Sequence, residues 1–154
     1  MRDTIGVHST LTGEVLDGAQ IGVFYPKRQV GYDGGWMALA LKSLGDIAED
    51  RTLNLTDHRV LGVLLSELDY ENFLYIAQAD VAVRLGVGRA AVNRSFKKLL
   101  DKRILLRGPK RGRVYTYGLN PRVGWRGQAQ KGSQALQRAE QLKLTIVEGG
   151  RDDE

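Results

Sequence analysis

The chain has no cysteine, only three prolines and only two histidines among its 154 residues. Without cysteine it can form neither a disulfide nor a thiolate metal site, which points to an intracellular, cytoplasmic setting. His8 and His58 stand far apart with no ligand spacing between them, so they read as surface or capping-region residues. A nicking enzyme of the rolling-circle type would need a His-x-His metal pair beside a nucleophilic tyrosine. Six tyrosines are present, but no such pair. There is no G-x-x-x-x-G-K-[ST] phosphate loop, and Gly86-Val87-Gly88 lacks the rest of a dinucleotide fingerprint. Catalysis is therefore not expected, nor any cofactor or metal. No apolar run approaches the roughly 20 residues of a membrane span. The opening segment MRDTIGVHST lacks a signal-peptide core, so no membrane partner is expected.

What is present is an uneven charge. The net value is only +5. From Arg84 to Lys131, however, fourteen Lys or Arg face a single acid, Asp101, while the rest of the chain is acidic overall. Such asymmetry is the electrostatic footprint of a nucleic-acid binder. At 42% hydrophobic residues the chain can also bury a core.

The basic stretch has an internal order. Gln78–Leu85 reads as a short helix with Val81, Ala82 and Leu85 on its apolar side. Gly86-Val87-Gly88 reads as a turn, since glycine reaches positive φ without steric cost. Arg89–Arg103 then repeats apolar residues at helical spacing, at Val92, Phe96, Leu99 and Leu100. The opposite face carries Arg89, Ala90, Asn93, Arg94 and Lys97. Arginine can pair bidentately with guanine and asparagine with adenine, so this face suits the major groove. Ile104–Arg107 and Arg113–Leu119 are strand-like, around a basic turn over 108–112 that holds Lys110 and Arg111. With Arg113, these residues form an expected wing tip against phosphates. Helix, turn, helix and hairpin in this order predict a winged helix-turn-helix, mainly α with a small β-wing.

The remaining segments are read around that unit. Gly13–Leu16 and Ile21–Pro26 suggest a hairpin about Asp17-Gly18, with Tyr25, Lys27 and Arg28 as a weak phosphate contact. Gly31–Gly35 reads as a connection. Trp36–Glu49 reads as a core helix, with Met37, Ala40, Leu41, Leu44, Ile47 and Ala48 on one side and Trp36 packed rather than binding a ligand. Thr56 is the expected N-cap of a helix running to about Leu68, with Val60, Leu61, Leu64, Leu65 and Leu68 as its buried stripe. Glu71-Asn72 breaks the chain, and Phe73–Ile76 is a short strand placed to pair with the wing. Trp125 is expected to pack against the body. Gln128–Ser133 reads as a connector and Gln134–Leu144 as a final helix with Leu136, Ala139 and Leu142 along one side. The tail Glu148–Glu154 is acidic. The domain organisation expected is an N-terminal extension with a β-hairpin (1–35), a winged-helix domain (36–127), and a C-terminal helix with its tail (128–154).

The run TDHRVLGVLLSELD, the helix-turn-helix and wing, and then VYTYGLNPRVGWRG resemble the RepL family of plasmid replication proteins. The most recognisable piece is Leu119-Asn120-Pro121 followed by Trp125-Arg126-Gly127, and the likeness spans about Trp36 to Gly127. It implies DNA binding in plasmid replication or its control. By place in the motif, it implies roles for Arg89, Ala90, Asn93 and Arg94. It brings no catalytic residue.

The function expected is sequence-specific double-stranded DNA binding by a replication initiator or control protein at origin DNA. The alternative is a winged-helix transcriptional regulator, and a third is a winged helix that contacts protein through its basic face. Expected partners are double-stranded DNA, a second copy of the chain, paired through the C-terminal helix, and host replication proteins.

Overall fold

A computed structural model describes residues 32–147. The expected N-terminal hairpin, with Tyr25, Lys27 and Arg28, and the acidic tail lie outside the described residues. Those described follow the order β1 (Ala38–Leu39), α1 (Leu41–Glu49), α2 (Leu55–Ser66), β2 (Phe73–Leu74), α3 (Gln78–Leu85), α4 (Arg89–Asp101), β3 (Leu105–Arg111), β4 (Val114–Leu119), β5 (Gly124–Trp125) and α5 (Ala129–Gln141). This is a winged helix. Helices α2, α3 and α4 pack together, and β2-β4-β3 form a small antiparallel sheet beside them.

The apolar periodicity decides the core. Val60, Leu61, Leu64 and Leu68 from α2 and the residues just after it meet Val81 and Ala82 of α3. They also meet Val92, Phe96 and Leu99 of α4. Burying side chains of this size is worth about 1.5–3 kcal/mol each against water. Leu65 and Leu100 pack at the edge of the same cluster. The α3–α4 turn rests on Gly86, whose φ of 63° and ψ of 36° are left-handed. Val87 then donates its N–H to Ala82 O at 3.1 Å, closing the helix end. Gly88 has ordinary extended dihedrals, so only the first of the two glycines supplies positive φ.

Several sequence expectations are corrected. The stretch 36–49 is not one helix, because Ala38–Leu39 pair with Trp125 and Gly124 before α1 begins at Leu41. Its apolar stripe is largely uncovered. Ile47 is buried, but Leu41 is 83% and Trp36 59% exposed, so Trp36 is not a core residue. The N-cap of α2 is Asn54, not Thr56. Asn54 Oδ1 accepts from Asp57 N at 2.9 Å, and Asp57 Oδ2 accepts from Asn54 N at 2.8 Å. This reciprocal capping box satisfies two otherwise orphan donors. The helix also ends two residues earlier than expected, at Ser66.

The hairpin turn sits at Gly112-Arg113 rather than over 108–112. Gly108-Pro109 instead fall at an irregularity of the β3–β4 ladder, between Arg107↔Tyr117 and Lys110↔Tyr115. Proline cannot donate to a ladder, so a bulge is where β3 tolerates it. The residues read as a connector form the first turns of α5, which runs from Ala129 to Gln141. The short strand after Glu71-Asn72 does pair with the wing, with Phe73 opposite Gly118 and Leu74 opposite Tyr117.

Two buried asparagines knit these elements together. Asn72, at φ 63°, donates from Nδ2 to Leu119 O at 3.1 Å and Gly124 O at 2.7 Å, and Oδ1 accepts from Arg126 N at 2.9 Å. Asn120 is fully buried. Its Nδ2 donates to Arg103 O at 2.8 Å and Leu144 O at 2.9 Å, and its Oδ1 accepts from Arg122 N at 3.0 Å. Those carbonyls lie just past the ends of α4 and α5. Each helix stops at a left-handed residue, Arg103 (φ 58°) or Lys143 (φ 52°). Asn120 therefore clamps two helix exits at once. Trp125 packs on α5 rather than on the body alone, its Nε1 donating to Gln128 O at 3.1 Å. A Cβ on Gly132 would come within 2.8 Å of the indole, so glycine is what lets helix and ring meet.

Candidate nucleic-acid interface

Helix α4 presents two chemically different sides. Val92, Ser95, Phe96 and Leu99 are buried, whereas Arg89, Ala90, Asn93, Arg94 and Lys97 are all exposed. Inward from the exposed face, Ser95 Oγ donates to Asp57 Oδ1 at 2.6 Å, and Lys98 Nζ donates to Asp57 Oδ2 at 2.8 Å. One turn on, Lys102 Nζ lies 2.5 Å from Asp50 Oδ2. Asp50 also accepts from the Thr52 amide and hydroxyl at 2.9 and 2.6 Å. Burial alone would raise both carboxyls. The hydrogen bonds from Lys98, Ser95 and the Asn54 amide, with the Lys98 charge, outweigh it at Asp57 and hold its pKa below 3.8. Lys102 and Thr52 do the same at Asp50. The inner lysines thus lock the orientation of α4 on its scaffold.

The cationic stretch accordingly does not all face one way. Lys98 and Lys102 serve the scaffold. Arg84 pairs with Glu67, Lys131 pairs with Glu71, and the Arg126 guanidinium donates to Leu68 O. The outward set is Arg89, Arg94 and Lys97 on α4, with Arg107, Lys110, Arg111 and Arg113 on the wing, all exposed. Sequence reading missed Arg107. It shares a strand face with buried Leu105 yet is exposed, so alternation along β3 points it inward and does not signal it.

The wing is organised around Tyr115. Arg107 Cζ lies 4.5 Å and Lys110 Nζ 4.7 Å from its ring centroid. Cation–π attraction holds both cations against the strand. Thr116 Oγ1 donates to Pro109 O at 2.9 Å across the bulge. A Cβ on Gly108 would meet that hydroxyl at 2.4 Å. The wing is fixed to α4 by Phe96 and Tyr117, edge to face at 5.4 Å and 72°.

Two clefts separate helix from wing. One of about 350 Å³ runs between Asn93 and Lys97 of α4 and Arg107 of β3, with Gln78 and Asp101 at its margins. The other, of about 410 Å³, is lined by Arg89 and Arg111 together with Tyr75, Tyr115 and Tyr117. The structure thus brings Asn93 and Lys97 to one cleft and Arg89 and Arg111 to the other. Ala90, Arg94, Lys110 and Arg113 line neither. Among the described residues, no three His, Cys, Asp or Glu gather as a metal site. No helix among them is long and apolar enough to cross a membrane.

No protein-family model matches the chain, and no curated protein matches it. Two solved structures are similar to part of the chain. One is described as a possible transcriptional regulator from Methanosarcina mazei Go1. It has a TM-score of 0.37 and 24% identity over 66% of this chain and 79% of that one. The other is a MarR/EmrR family transcriptional regulator from Acinetobacter sp. ADP1, with a TM-score of 0.35 and 21% identity. It covers 68% of this chain and 65% of the other. At these scores neither neighbour informs the chemistry of this chain.

Proposed function

We propose that this chain binds double-stranded DNA in a sequence-dependent way and acts as a transcriptional regulator. The observation that carries the reading is the outward face of α4. It sets an amide, Asn93, between Arg89, Arg94 and Lys97, with the cationic wing alongside. Cations alone would serve a phosphate backbone. An exposed asparagine in the second turn of such a helix is suited to an adenine edge.

Origin binding in plasmid replication uses the same surface and differs in the DNA it selects. The residues behind the replication-protein resemblance bear on this choice. Asn120 clamps two helix exits, and Trp125 packs on α5. These contacts build the framework rather than the DNA face. The resemblance therefore supports the fold more than it supports replication. Pairing of two copies fits the same reading. Helix α5 is docked through Gly132 and Ala139 but leaves Leu136 and Leu142 45% and 63% exposed, an apolar edge for a second copy.

Selection of bound fragments from random and genomic duplex DNA tests the proposal. Recovery of one motif, placed at promoters, is the expected result. Recovery of clustered repeats at an origin would move the reading to replication. Binding with no sequence preference, or none at all, would overturn sequence-dependent recognition.

A further inference from the structure

The cleft between Arg89 and Arg111 has a makeup that duplex phosphate binding does not require. None of its lining residues is acidic. Its two arginines come from different elements, the start of α4 and the end of β3, and neither side chain makes an ion pair or hydrogen bond among the described residues. Beside them stands Tyr75, 59% exposed, on the segment joining β2 to α3. Tyr75 does not belong to the buried core. Its ring contact is with Phe73, at 6.1 Å and 30°, and Phe73 is itself 44% exposed. Tyr115, across the cleft, already carries Arg107 and Lys110 over its ring. Tyr75 is thus the aromatic left open to a visitor.

An aromatic face exposed beside two cations matches a nucleotide, a flat base joined to an anionic phosphate. In a paired duplex both faces of a base are covered by its neighbours, so a tyrosine ring can reach one only when the base has left the stack. At about 410 Å³ the cleft lies within the usual range of small-molecule sites. It also adjoins the cationic face of α4 and the wing, so a strand lying on that face leads directly to it.

We propose that this cleft holds one unpaired nucleotide, its base against Tyr75 and its phosphate between Arg89 and Arg111, so that the protein grips a junction between duplex and single strand. The proposal rests on the DNA-binding reading and adds a preference within it. A protein with this preference would hold a partly opened site more tightly than a closed one.

The test compares the full chain on two probes at one salt concentration. One is a blunt duplex of about 20 base pairs. The other is the same duplex with about six unpaired nucleotides at one end, the first replaced by 2-aminopurine. The forked probe should bind at least about fivefold tighter, with 2-aminopurine fluorescence quenched on binding. Tyr75→Ala should weaken the fork by about fivefold or more, while blunt-duplex affinity changes by less than about twofold. Tyr75→Phe keeps the ring and should behave as wild type. Equal wild-type affinity for the two probes would overturn the proposal whatever the variants do, and this comparison needs no variant to fold. Equal losses of Tyr75→Ala on both probes would also overturn it. If the wild type binds neither probe, the DNA-binding reading itself fails.

Discussion

Lys98 Nζ sits 2.8 Å from Asp57 Oδ2, and while Asp57 is 2% exposed, the lysine side chain is 38% exposed. The pair is therefore lopsided. If Asp57 is lost, Lys98 can turn to water. If Lys98 is lost, a buried carboxylate keeps only Ser95 and the Asn54 amide. Lys98→Met should cost about 3 kcal/mol, at the lower end for a stranded buried charge. Asp57→Asn should cost about 1–2 kcal/mol, through a weaker capping box and a weaker bond from Ser95. The double variant should be more stable than Lys98→Met alone. Urea unfolding of the three proteins measures this, and additive losses would mean that the two side chains do not interact.

The same carboxylates set an acid limit. Asp57 and Asp50 have folded pKa values below the ordinary 3.8. A depressed folded pKa contributes stability that is fully present above the unfolded value. That contribution declines as pH falls below about 3.8 and is gone once the pH has passed through the folded values. Thermal unfolding between pH 5 and 2 should show this loss, and Asp57→Asn with Asp50→Asn should flatten the slope in that window. An unchanged slope would show that other carboxylates govern acid unfolding.

Asn120→Ala should cost about 1–3 kcal/mol, because it removes a fully buried side chain that partners the half-buried carbonyls of Arg103 and Leu144. Asn120→Asp is nearly the same shape but turns a donor into an acceptor facing two carbonyls. It should cost at least as much near neutral pH and recover when the carboxyl is protonated. Denaturant midpoints across pH separate the two variants, and pH-independent behaviour of Asn120→Asp would contradict the clamp.

Asn93→Ala and Arg89→Ala should each cost about 1–3 kcal/mol on a selected DNA site and little on scrambled duplex. Both side chains are exposed, so folding should change by no more than about 0.5 kcal/mol. Replacing Lys110, Arg111 and Arg113 together should weaken both duplexes by a similar factor. If about six to eight phosphates are neutralised, wild-type log affinity should fall against log salt with a slope of about −5 to −7, and the wing variant should be shallower. Titrations at several salt concentrations read both effects. A wing variant that loses affinity for the selected site alone would make the wing a base reader.

Leu136→Glu should shift any dimer to monomer at micromolar concentration without unfolding the chain, since Leu136 is 45% exposed. Sedimentation velocity decides. A wild-type chain that is already monomeric, with or without DNA, removes the α5 pairing surface.

How much of this was legible depended on the range of the interactions. Helices α3 and α4 were visible because Val81, Ala82, Val92, Phe96 and Leu99 repeat at helical spacing and a glycine marks the turn. The exposed face of α4 followed as the complement of its buried one. Periodicity shows that residues share a side, not that something covers it, so Leu41 and Leu44 were wrongly placed in the core. Strand β1 is two residues long and pairs with residues near the far end of the domain, which no local pattern signals. Gly108-Pro109 carry the chemistry of a turn, and a bulge uses the same residues. Asn54 and Thr56 are both good caps. Asp57 three residues beyond Asn54 was the clue to the right one. The inward role of Lys98 and Lys102 was hidden because a lysine two-thirds along a basic helix looks like every other lysine there.

The pairing of Ala38 with Trp125 has a consequence for how the chain folds. It joins segments that are very far apart in sequence, whereas the α3–α4 unit and the β3–β4 hairpin close over short loops. Closing a long loop is entropically costly until both ends have something ordered to dock on. During synthesis, the edge of β1 has no partner until almost the whole winged helix has emerged. The helix-turn-helix and hairpin should thus assemble first, with β1 and α1 joining last. A variant that breaks this late contact, such as Gly124→Ala, whose Cβ would meet Ala38 O at 2.6 Å, should speed unfolding while leaving the folding rate nearly unchanged.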